Sequence, residues 1–391
     1  MKKTVSFFLA FLMSLSLITF YGYAAEKGED KPSGPEVKAK AAVLMDASTG
    51  KVIYAKNEHE KLYPASVTKI MPLLLFMEAI DSGKINITDE VTCSPEAAAK
   101  GGSQIWLKDG ETMTVDELLK AVAIASANDA CCALGEHIAG SEEAFVSMMN
   151  KRAQELGMND THFDNCSGLD DDTDTHKSSA YDIALMGREL LKHETIQKYS
   201  TVWMDSLRGG ETQLVNTNKL VRFYKGTTGL KTGTTAKAGK CLCASAKRDS
   251  FHLIAVVLGC ETGDERFESA KALLNYGFAN YETVKLEFDE SLITDVGVMN
   301  GIRRSVRPKF KPAPEVTLKK GDKEKIVTEI NLTTEVEAPV EENQIFGTVE
   351  FRLGDELLGR CELLSPEKVD KLKFTDVLLL MLRSFGAEKE F

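Results

Sequence analysis

The sequence lacks the patterns that mark several large functional classes. Its 48 basic residues are outnumbered by 59 acidic ones, and the formal charge of −11 makes binding to nucleic acid unexpected. The six histidines show no His-Glu-x-x-His or comparable ligand spacing, so metal catalysis is not indicated. No Gly-x-x-x-x-Gly-Lys-Ser/Thr segment precedes a helical pattern, which excludes a phosphate-binding loop of that type. We therefore expect no cofactor and no metal.

The cysteines also lack an informative spacing, although the chain contains eight of them. Cys131 and Cys132 are adjacent on a predicted helix, Cys241 and Cys243 share one face of a predicted strand, and the remaining four are scattered. Neither a disulfide framework nor a zinc site has this arrangement. The interpretation that fits is that they are small, buried hydrophobic side chains.

Long hydrophobic runs are scarce as well, and the clearest one lies at the N-terminus. Lys2 and Lys3 precede an apolar run over residues 5–20, and small residues follow. This pattern predicts a secretory signal peptide over residues 1–24 and export to the extracytoplasmic face of the cell membrane or the cell wall. An uncleaved anchor is the alternative, but the run is short for a bilayer span. The charged segment 25–38 is predicted to be a flexible leader.

What the chain does contain is a serine and a lysine three residues apart, Ser66 and Lys69, where an extended segment turns into an apolar helical run. Residues three apart share a helix face, so the amine can lie beside the hydroxyl. A lysine removes a hydroxyl proton only if burial or another cation keeps it neutral. Pro72 lies inside the same predicted helix, and it is expected to remove a hydrogen bond and kink it.

One such pair is weak evidence, because Ser48 and Lys51 have the same spacing within the predicted turn of a hairpin. Two further motifs strengthen the prediction for Ser66 and Lys69. Ser126-Ala127-Asn128 is predicted at a junction between two helices, and Lys231-Thr232-Gly233 lies in a segment rich in glycine and threonine. The order Ser-x-x-Lys, Ser-x-Asn, Lys-Thr-Gly resembles the penicillin-binding proteins and serine β-lactamases.

Three further segments, 165–169, 176–182 and 216–220, make the chain most similar within that group to the low-molecular-weight D-alanyl-D-alanine carboxypeptidases. The likeness covers about residues 39–281 and resumes in two short segments at 338–340 and 347–349. It implies an α/β (α+β) fold of the β-lactamase/transpeptidase type with an antiparallel sheet and helices, then a small all-β domain and a C-terminal amphipathic helix. The expected domains are a catalytic domain at 39–282, a small β-sandwich domain at 283–365 and a tail at 366–391.

The resemblance also implies roles for the motif residues. Ser66 would be the nucleophile, Lys69 its base, and Ser126 the group that passes a proton to the leaving amine. Asn128 would hydrogen-bond the backbone of the substrate. Lys231 would attract the terminal carboxylate and help to hold Lys69 neutral by like-charge repulsion.

The segment after Lys231 completes the implied site. Thr232 would add a hydroxyl to the carboxylate pocket. The oxyanion hole would be formed by the backbone N–H groups of Ser66 and of Thr234, which follows Gly233. The expected ligands are peptidoglycan stem peptides and β-lactam antibiotics.

Three functional hypotheses follow from this resemblance. The first is a serine-type carboxypeptidase that removes the terminal D-alanine from stem pentapeptides through an acyl-enzyme. The second is endopeptidase or β-lactam hydrolase chemistry at the same site, and the third is a non-catalytic peptidoglycan-binding scaffold. Ala127 stands where class A β-lactamases have aspartate, and no counterpart of their deacylating glutamate is found, so the carboxypeptidase is favoured.

The C-terminal tail carries a second hydrophobic pattern. Lysine and arginine residues flank apolar residues that recur at helical spacing: Phe374, Val377, Leu378, Met381, Leu382 and Phe385. The segment is too short to span a bilayer but suits a helix lying in the membrane interface. Docking of this helix on its own β domain or on a second subunit is the alternative.

Overall fold

The computed structural model describes residues 34–171, 173–378 and 381. The predicted signal peptide, residues 25–33 of the predicted leader and residues 379, 380 and 382–391 of the predicted tail lie outside this part of the chain. Everything below refers to the described residues.

The segment from Ala41 to Asn280 contains an antiparallel sheet with helices. Its strands are β1 (Ala41–Asp46), β2 (Val52–Lys56), β3 (Glu90–Thr92), β4 (Thr112–Thr114), β5 (Met204–Leu207), β6 (Thr212–Val215), β7 (Thr227–Thr235), β8 (Gly239–Arg248) and β9 (Phe251–Cys260). Its α-helices are α1 (Ile70–Asp81), α2 (Pro95–Ala98), α3 (Val115–Lys120), α4 (Asn128–Ala139), α5 (Glu142–Glu155), α6 (Ala180–Leu190), α7 (Gln197–Ser200), α8 (Leu220–Phe223) and α9 (Gly263–Asn280). The main sheet has the order β2-β1-β9-β8-β7, with antiparallel neighbours throughout.

Both faces of this sheet are covered, as the fully buried strand β1 shows. Successive side chains of a strand point to opposite faces. Ala41, Val43 and Met45 accordingly join a core with helices such as α1 and α6, whereas Ala42 and Leu44 join a second core with α9. Strand β7 lies at the edge of the sheet, so one row of its backbone groups has no neighbouring strand within it.

Several local predictions are confirmed. The turn containing Ser48 connects β1 and β2, and the short turn after Arg248 connects β8 and β9. Thr114 and Glu117 form a reciprocal capping box at the start of α3. Pro72 lies in the first turn of α1, which begins at Ile70, and proline is tolerated in that turn.

The C-terminal β region, residues 281–371, consists of short strands. They are β10 (Tyr281–Lys285), β11 (Val296–Met299), β12 (Ser305–Val306), β13 (Lys309–Phe310), β14 (Glu315–Lys319), β15 (Val327–Leu332), β16 (Glu335–Glu337), β17 (Ile345–Leu353) and β18 (Glu356–Leu364). They form sheets of two, three and four strands. Two cores fill this region, and Val369, which is fully buried and bridges to Val340, belongs to one of them.

A buried carboxylate connects the main sheet to the C-terminal β region. Asp46 is fully buried at the end of β1. Its Oδ2 accepts hydrogen bonds from the hydroxyls of Thr283 at 3.1 Å and Thr317 at 2.6 Å, and its Oδ1 accepts the N–H of Ser48 at 2.8 Å. Because a buried carboxylate is costly without such partners, these bonds favour the joined arrangement.

After the C-terminal β region, residues 374–378 and 381 are helical. Phe374 is 81 % exposed, and Leu378 and Met381 are also exposed. Among the described residues, none of the helices combines the length and the apolar character that crossing a bilayer requires.

Candidate active site

The predicted nucleophile lies in a tight helical turn rather than in a regular α-helix. Residues Ala65–Lys69 form a 3₁₀ turn that continues directly into α1. Ser66 is half-buried, whereas Lys69 is completely buried. The Nζ of Lys69 lies 3.1 Å from the Oγ of Ser66, so the amine and the hydroxyl are within hydrogen-bonding distance.

The surroundings of Lys69 determine which way that hydrogen bond runs. Its Nζ donates to Oδ1 of Asn128 at 2.5 Å and to the backbone oxygen of Ser167 at 2.7 Å. The Nδ2 of Asn128 donates to Gly101 O at 2.7 Å, which fixes Oδ1 as the acceptor facing Lys69. A neutral amine has two N–H groups and one lone pair. When the amine is neutral, both N–H groups are used by the acceptors on Asn128 and Ser167, and the lone pair faces the hydroxyl of Ser66.

Burial favours this neutral form. Removal from water lowers the pKa of Lys69 to about 8, because the charged form loses its hydration. The lowered pKa of Lys69 comes from burial and not from the expected repulsion by Lys231; the repulsion acts on Lys231 itself. The pKa of Lys231 is lowered well below its usual range by burial first, and then by the charges of Lys69 and Arg266.

Ser126 is aimed by an irregular backbone. Residues Ala121–Ala125 form a π-helical turn, and Ser126 follows in the left-handed conformation with φ 66°. Such a conformation is unfavourable for serine and is frequent at functional sites. The Oγ of Ser126 is buried and has no hydrogen-bond partner within the described part of the chain. This hydroxyl is therefore available to a substrate.

The third motif lies on the edge strand β7, which packs against the Ser66 turn. A Cβ added at Gly233 would lie 2.6 Å from the backbone oxygen of Pro64, so only glycine permits this approach. Lys231 is 1 % exposed and donates to Thr232 O at 3.2 Å, while Oγ1 of Thr232 donates to Thr217 Oγ1 at 2.7 Å.

Arg266, which lies on α9, supports strand β7 through its guanidinium group. Nη1 of Arg266, on α9, donates to Gly233 O at 3.2 Å, to Thr234 Oγ1 at 3.3 Å and to Cys241 O at 3.4 Å. It thereby links β7 to β8 beside the predicted oxyanion donor. Sequence reasoning did not identify Arg266, because nothing in its local sequence distinguishes it from the other arginines.

A loop between α5 and α6 supplies the remaining acceptor of Lys69. The side chain of Asn165 accepts the N–H groups of Ser167 at 3.1 Å and Gly168 at 2.7 Å, which shapes the loop. Gly168 has φ 87°, and an added Cβ would lie only 1.9 Å from the backbone oxygen of Ala65. Ser167 has no recognisable signal in the sequence, because it contributes a backbone oxygen that any residue would provide.

Behind the Ser66 turn lies a buried histidine. Nδ1 of His176 accepts the N–H of Asp164 at 3.0 Å, so the proton of the neutral ring is on Nε2, which donates to Thr68 Oγ1 at 2.8 Å. Burial lowers the pKa of His176 to about 4. The neutral ring holds the loop before Ser167 against the turn that carries Ser66.

The structure thus brings Ser66, Lys69 and Asn128 into one chain of hydrogen bonds and packs Gly233 against the turn before Ser66. Ser126 makes no hydrogen bond to the other motifs in the described residues. The arrangement provides a hydroxyl with a neutral amine beside it, a second unpartnered hydroxyl and a buried lysine on an edge strand. These are the parts needed for acyl transfer by an activated serine.

Comparison with known proteins gives two family matches. Residues 28–262 match the family described as D-alanyl-D-alanine carboxypeptidase, peptidase S11. Residues 281–371 match the family described as penicillin-binding protein 5, C-terminal domain. The chain is 42% identical to the D-alanyl-D-alanine carboxypeptidase DacF of Bacillus subtilis over 383 residues, which cover 97% of each protein.

Solved structures give the same result. Penicillin-binding protein 5 from Haemophilus influenzae aligns with a TM-score of 0.76 and 31% identity, covering 87% of this chain and 99% of that one. Penicillin-binding protein D2 from Listeria monocytogenes, solved in its ampicillin-bound form, aligns with a TM-score of 0.55 and 29% identity. That alignment covers 62% of this chain and 98% of the Listeria protein.

Proposed function

Because the chain belongs to the D-alanyl-D-alanine carboxypeptidase family of serine peptidases, we propose that Ser66 is the nucleophile with which it removes the terminal D-alanine of peptidoglycan stem peptides. The enzyme is a serine-type D-alanyl-D-alanine carboxypeptidase. One observation supports the assignment of Ser66 above the others. The two N–H groups of Lys69 face acceptors, and its remaining position faces the hydroxyl of Ser66.

Acylation follows from this geometry. Lys69, whose pKa burial lowers to about 8, in its neutral form takes the proton of Ser66 as the serine oxygen attacks the carbonyl carbon of the penultimate D-alanine. The negative charge that develops on the carbonyl oxygen is stabilised by the N–H groups of Ser66 and Thr234. Loss of one such donor costs about 3–4 kcal/mol of barrier.

Departure of D-alanine requires a proton on its nitrogen. Ser126, with its unpartnered hydroxyl, delivers that proton, which comes from Lys69. Lys231 and Thr232 bind the terminal carboxylate. Lys231 is buried with its pKa lowered, and an arriving carboxylate raises that pKa again, so the charge pair forms when the substrate is present.

Water then hydrolyses the ester on Ser66 and releases the shortened stem peptide. Asn128 was predicted to hydrogen-bond the substrate backbone. Its Oδ1 and one N–H of Nδ2 are occupied by Lys69 and Gly101, so only its second N–H remains for that task. Asn128 consequently positions the base as well as the substrate.

The same site would react with β-lactams, which present a strained amide and a carboxylate to the same groups. Binding of penicillin is consistent with the solved relatives, one of which holds ampicillin. We propose that the penicilloyl-enzyme is released slowly. Endopeptidase cleavage of cross-links and β-lactam hydrolysis remain the alternative reactions of this site, and a scaffold function is the non-catalytic alternative.

Product analysis separates these reactions. Purified enzyme is incubated with stem pentapeptide, with cross-linked dimer and with penicillin, and products are identified by mass spectrometry. Rapid release of D-alanine from pentapeptide supports the proposal. Faster cleavage of the dimer or rapid turnover of penicillin would favour the alternatives, and no product from any substrate, together with an unmodified Ser66, would favour the scaffold.

Family members act on peptidoglycan, which lies outside the cytoplasm. We propose that residues 1–24 direct export, that 25–38 form a leader and that the catalytic domain extends over 39–282 and the β domain over 283–365. We further propose that the tail, 366–391, holds the enzyme at the membrane surface through its exposed apolar residues. The exposure of Phe374 and Leu378 supports that contact.

A further inference from the structure

Two cysteines that are far apart in the sequence lie together behind the active site. The Sγ atoms of Cys132 and Cys166 and a carboxylate oxygen of Glu142 all lie within 4.8 Å of one another. The Sγ of Cys166 is 3.2 Å from Oε1 of Glu142, and the N–H of Cys166 donates to the same oxygen at 3.2 Å. Both cysteines are fully buried and unbridged.

We propose that Cys132, Cys166 and Glu142 form a binding site for a soft divalent cation of the zinc type. Zinc takes Cys sulfur at about 2.3 Å and carboxylate oxygen at about 2.1 Å, which places the donors of a tetrahedral site about 3.6–3.8 Å apart. The observed spacing needs only small side-chain shifts to reach that geometry. Two thiolates favour zinc over magnesium or calcium, which select oxygen ligands.

Replacement of the two thiol protons by one divalent cation keeps the charges of this cluster balanced. The two thiols are neutral, and Glu142 forms an ion pair with Lys100. A divalent cation that binds both sulfurs releases two protons, so the cluster keeps the same net charge. Lys100 contacts Oε2 of Glu142, whereas Oε1 faces the sulfur. The lysine therefore orients the ligating carboxylate without occupying the ligand position.

The cluster meets a surface cavity at Glu142, and neither sulfur lines that cavity. A cavity of about 610 Å³ is lined by Glu142, Lys100, Glu136 and neighbouring residues. Glu136 accepts from the Sγ of Cys132 at 3.6 Å, so its carboxylate or a water molecule from the cavity can supply a fourth ligand. The carboxylates that line the cavity, including Glu96 and Glu143, attract cations.

This site would connect the two segments that orient the base. Cys132 lies one helical turn after Asn128 on α4, and Cys166 precedes Ser167 in the loop. Asn128 and Ser167 are the two acceptors of Lys69. A bound cation would thus tie together both supports of Lys69, and its role would be structural rather than catalytic.

The test uses the full exported chain, purified under reducing conditions and freed of metal with a chelator. Zinc alone is added back and measured by equilibrium dialysis with elemental analysis. Cobalt is added separately, and the thiolate-to-cobalt charge-transfer absorption is recorded. We expect about one tightly bound zinc per chain, a cobalt–thiolate band and a higher Tm with zinc than with magnesium.

Matched variants assign the ligands. Cys132→Ser and Cys166→Ser should each lose the cobalt–thiolate intensity of one sulfur and weaken zinc binding at least about tenfold, and Glu142→Gln should weaken it while keeping side-chain volume. Cys361→Ser, a buried cysteine of the C-terminal β region, should behave as wild type. Because the spectrum is recorded first on wild-type protein, poor folding of a variant leaves the test intact.

Three results would overturn the proposal. The wild-type chain could show no thiolate-to-cobalt band, or its zinc could be lost equally in Cys361→Ser. Mass spectrometry without reductant could instead show the Cys132 and Cys166 peptides joined and lighter by two hydrogens, which would make the pair a disulfide formed by exchange with an extracytoplasmic oxidoreductase. Penicillin labelling of Ser66 in the same samples would separate any of these failures from a failure of the proposed catalytic function.

Discussion

The amine of Lys69 lies 3.1 Å from the hydroxyl of Ser66 and faces it with its only position not taken by a fixed acceptor. The burial of Lys69 thus fixes the position of its amine and lowers its pKa to about 8. In the neutral form, its two hydrogens bind the oxygens of Asn128 and Ser167. A side chain that is normally a cation is in this way prepared to accept a proton.

Removal of Ser66 should abolish acylation, and removal of Lys69 should slow it strongly. We expect Ser66→Ala to capture no labelled penicillin and Lys69→Ala to react about 10²–10⁴ times more slowly than wild type, the usual contribution of a general base. Ser48→Ala is the matched control, since Ser48 and Lys51 have the same spacing in an ordinary turn. Labelling is measured by mass spectrometry of the modified peptide. Full labelling of Ser66→Ala would contradict the assignment.

The rate of acylation should depend on pH through Lys69. Below its pKa of about 8 the amine is protonated and inactive as a base. The rate constant should therefore rise about tenfold per pH unit below about 8 and level off above it. Stopped-flow acylation by a penicillin checks this, with the circular dichroism spectrum recorded at each pH as a control for folding. A rate that falls as pH rises toward 8 would be incompatible with a lysine base.

Gly168 should be far less tolerant than a glycine with the same backbone conformation elsewhere. Gly168→Ala places a Cβ 1.9 Å from Ala65 O, whereas Gly157, with φ 74°, has nothing within 4 Å of that position. We expect Gly157→Ala to lower the free energy of unfolding by about 1–2 kcal/mol, and Gly168→Ala by about 2–4 kcal/mol with loss of acylation. Denaturant unfolding and penicillin labelling measure both effects. Equal effects of the two substitutions would refute the close packing at Ser66.

His176 should make the fold sensitive to acid. Its folded-state pKa of about 4 lies below the ordinary value of 6.5, so the unfolded chain binds the proton first as pH falls. Its contribution to stability is present above about 6.5 and declines toward pH 4, by up to about 3 kcal/mol. His176→Gln should reduce this decline, while the exposed His137→Gln should not. Urea unfolding across that range is the measurement, and parallel declines in wild type and His176→Gln would disprove the assignment.

The membrane tail can be tested with a deletion that spares the core. Removal of residues 374–391 keeps the buried Val369 and its bridge to Val340. We expect the shortened enzyme to move from the membrane to the soluble fraction and to retain its turnover. The double change Phe374→Glu and Leu378→Glu, which keeps the chain length, should have the same effect. Retention of the deleted form in the membrane fraction would contradict the proposal.

Much of the fold was accessible from the sequence because local patterns specify local elements. The β1–β2 hairpin, the capping box at Thr114 and the β8–β9 hairpin were predicted and confirmed. The family and the fold class are likewise confirmed by the matches to known proteins. The three motifs also led to Ser66 and Lys69, which the fold places in contact.

What the sequence could not provide are groups that act through position in space alone. The oxygen of Ser167 is a backbone atom present in every residue, and Arg266 supports β7 from a helix that follows two strands later. Cys132 and Cys166 meet through the packing of a loop against α4, which no spacing rule describes.

The hydrogen bonds of Asp46 limit how this protein can be recombined with its relatives. A chimaera joined near residue 281 would take Asp46 from one parent and the two threonine hydroxyls that donate to it from the other. If the incoming part lacked these hydroxyls, the buried carboxylate would lose two hydrogen bonds at the junction, which would destabilise both parts of the protein. Exchange of domains should therefore succeed only when Asp46, Thr283 and Thr317 are transferred together.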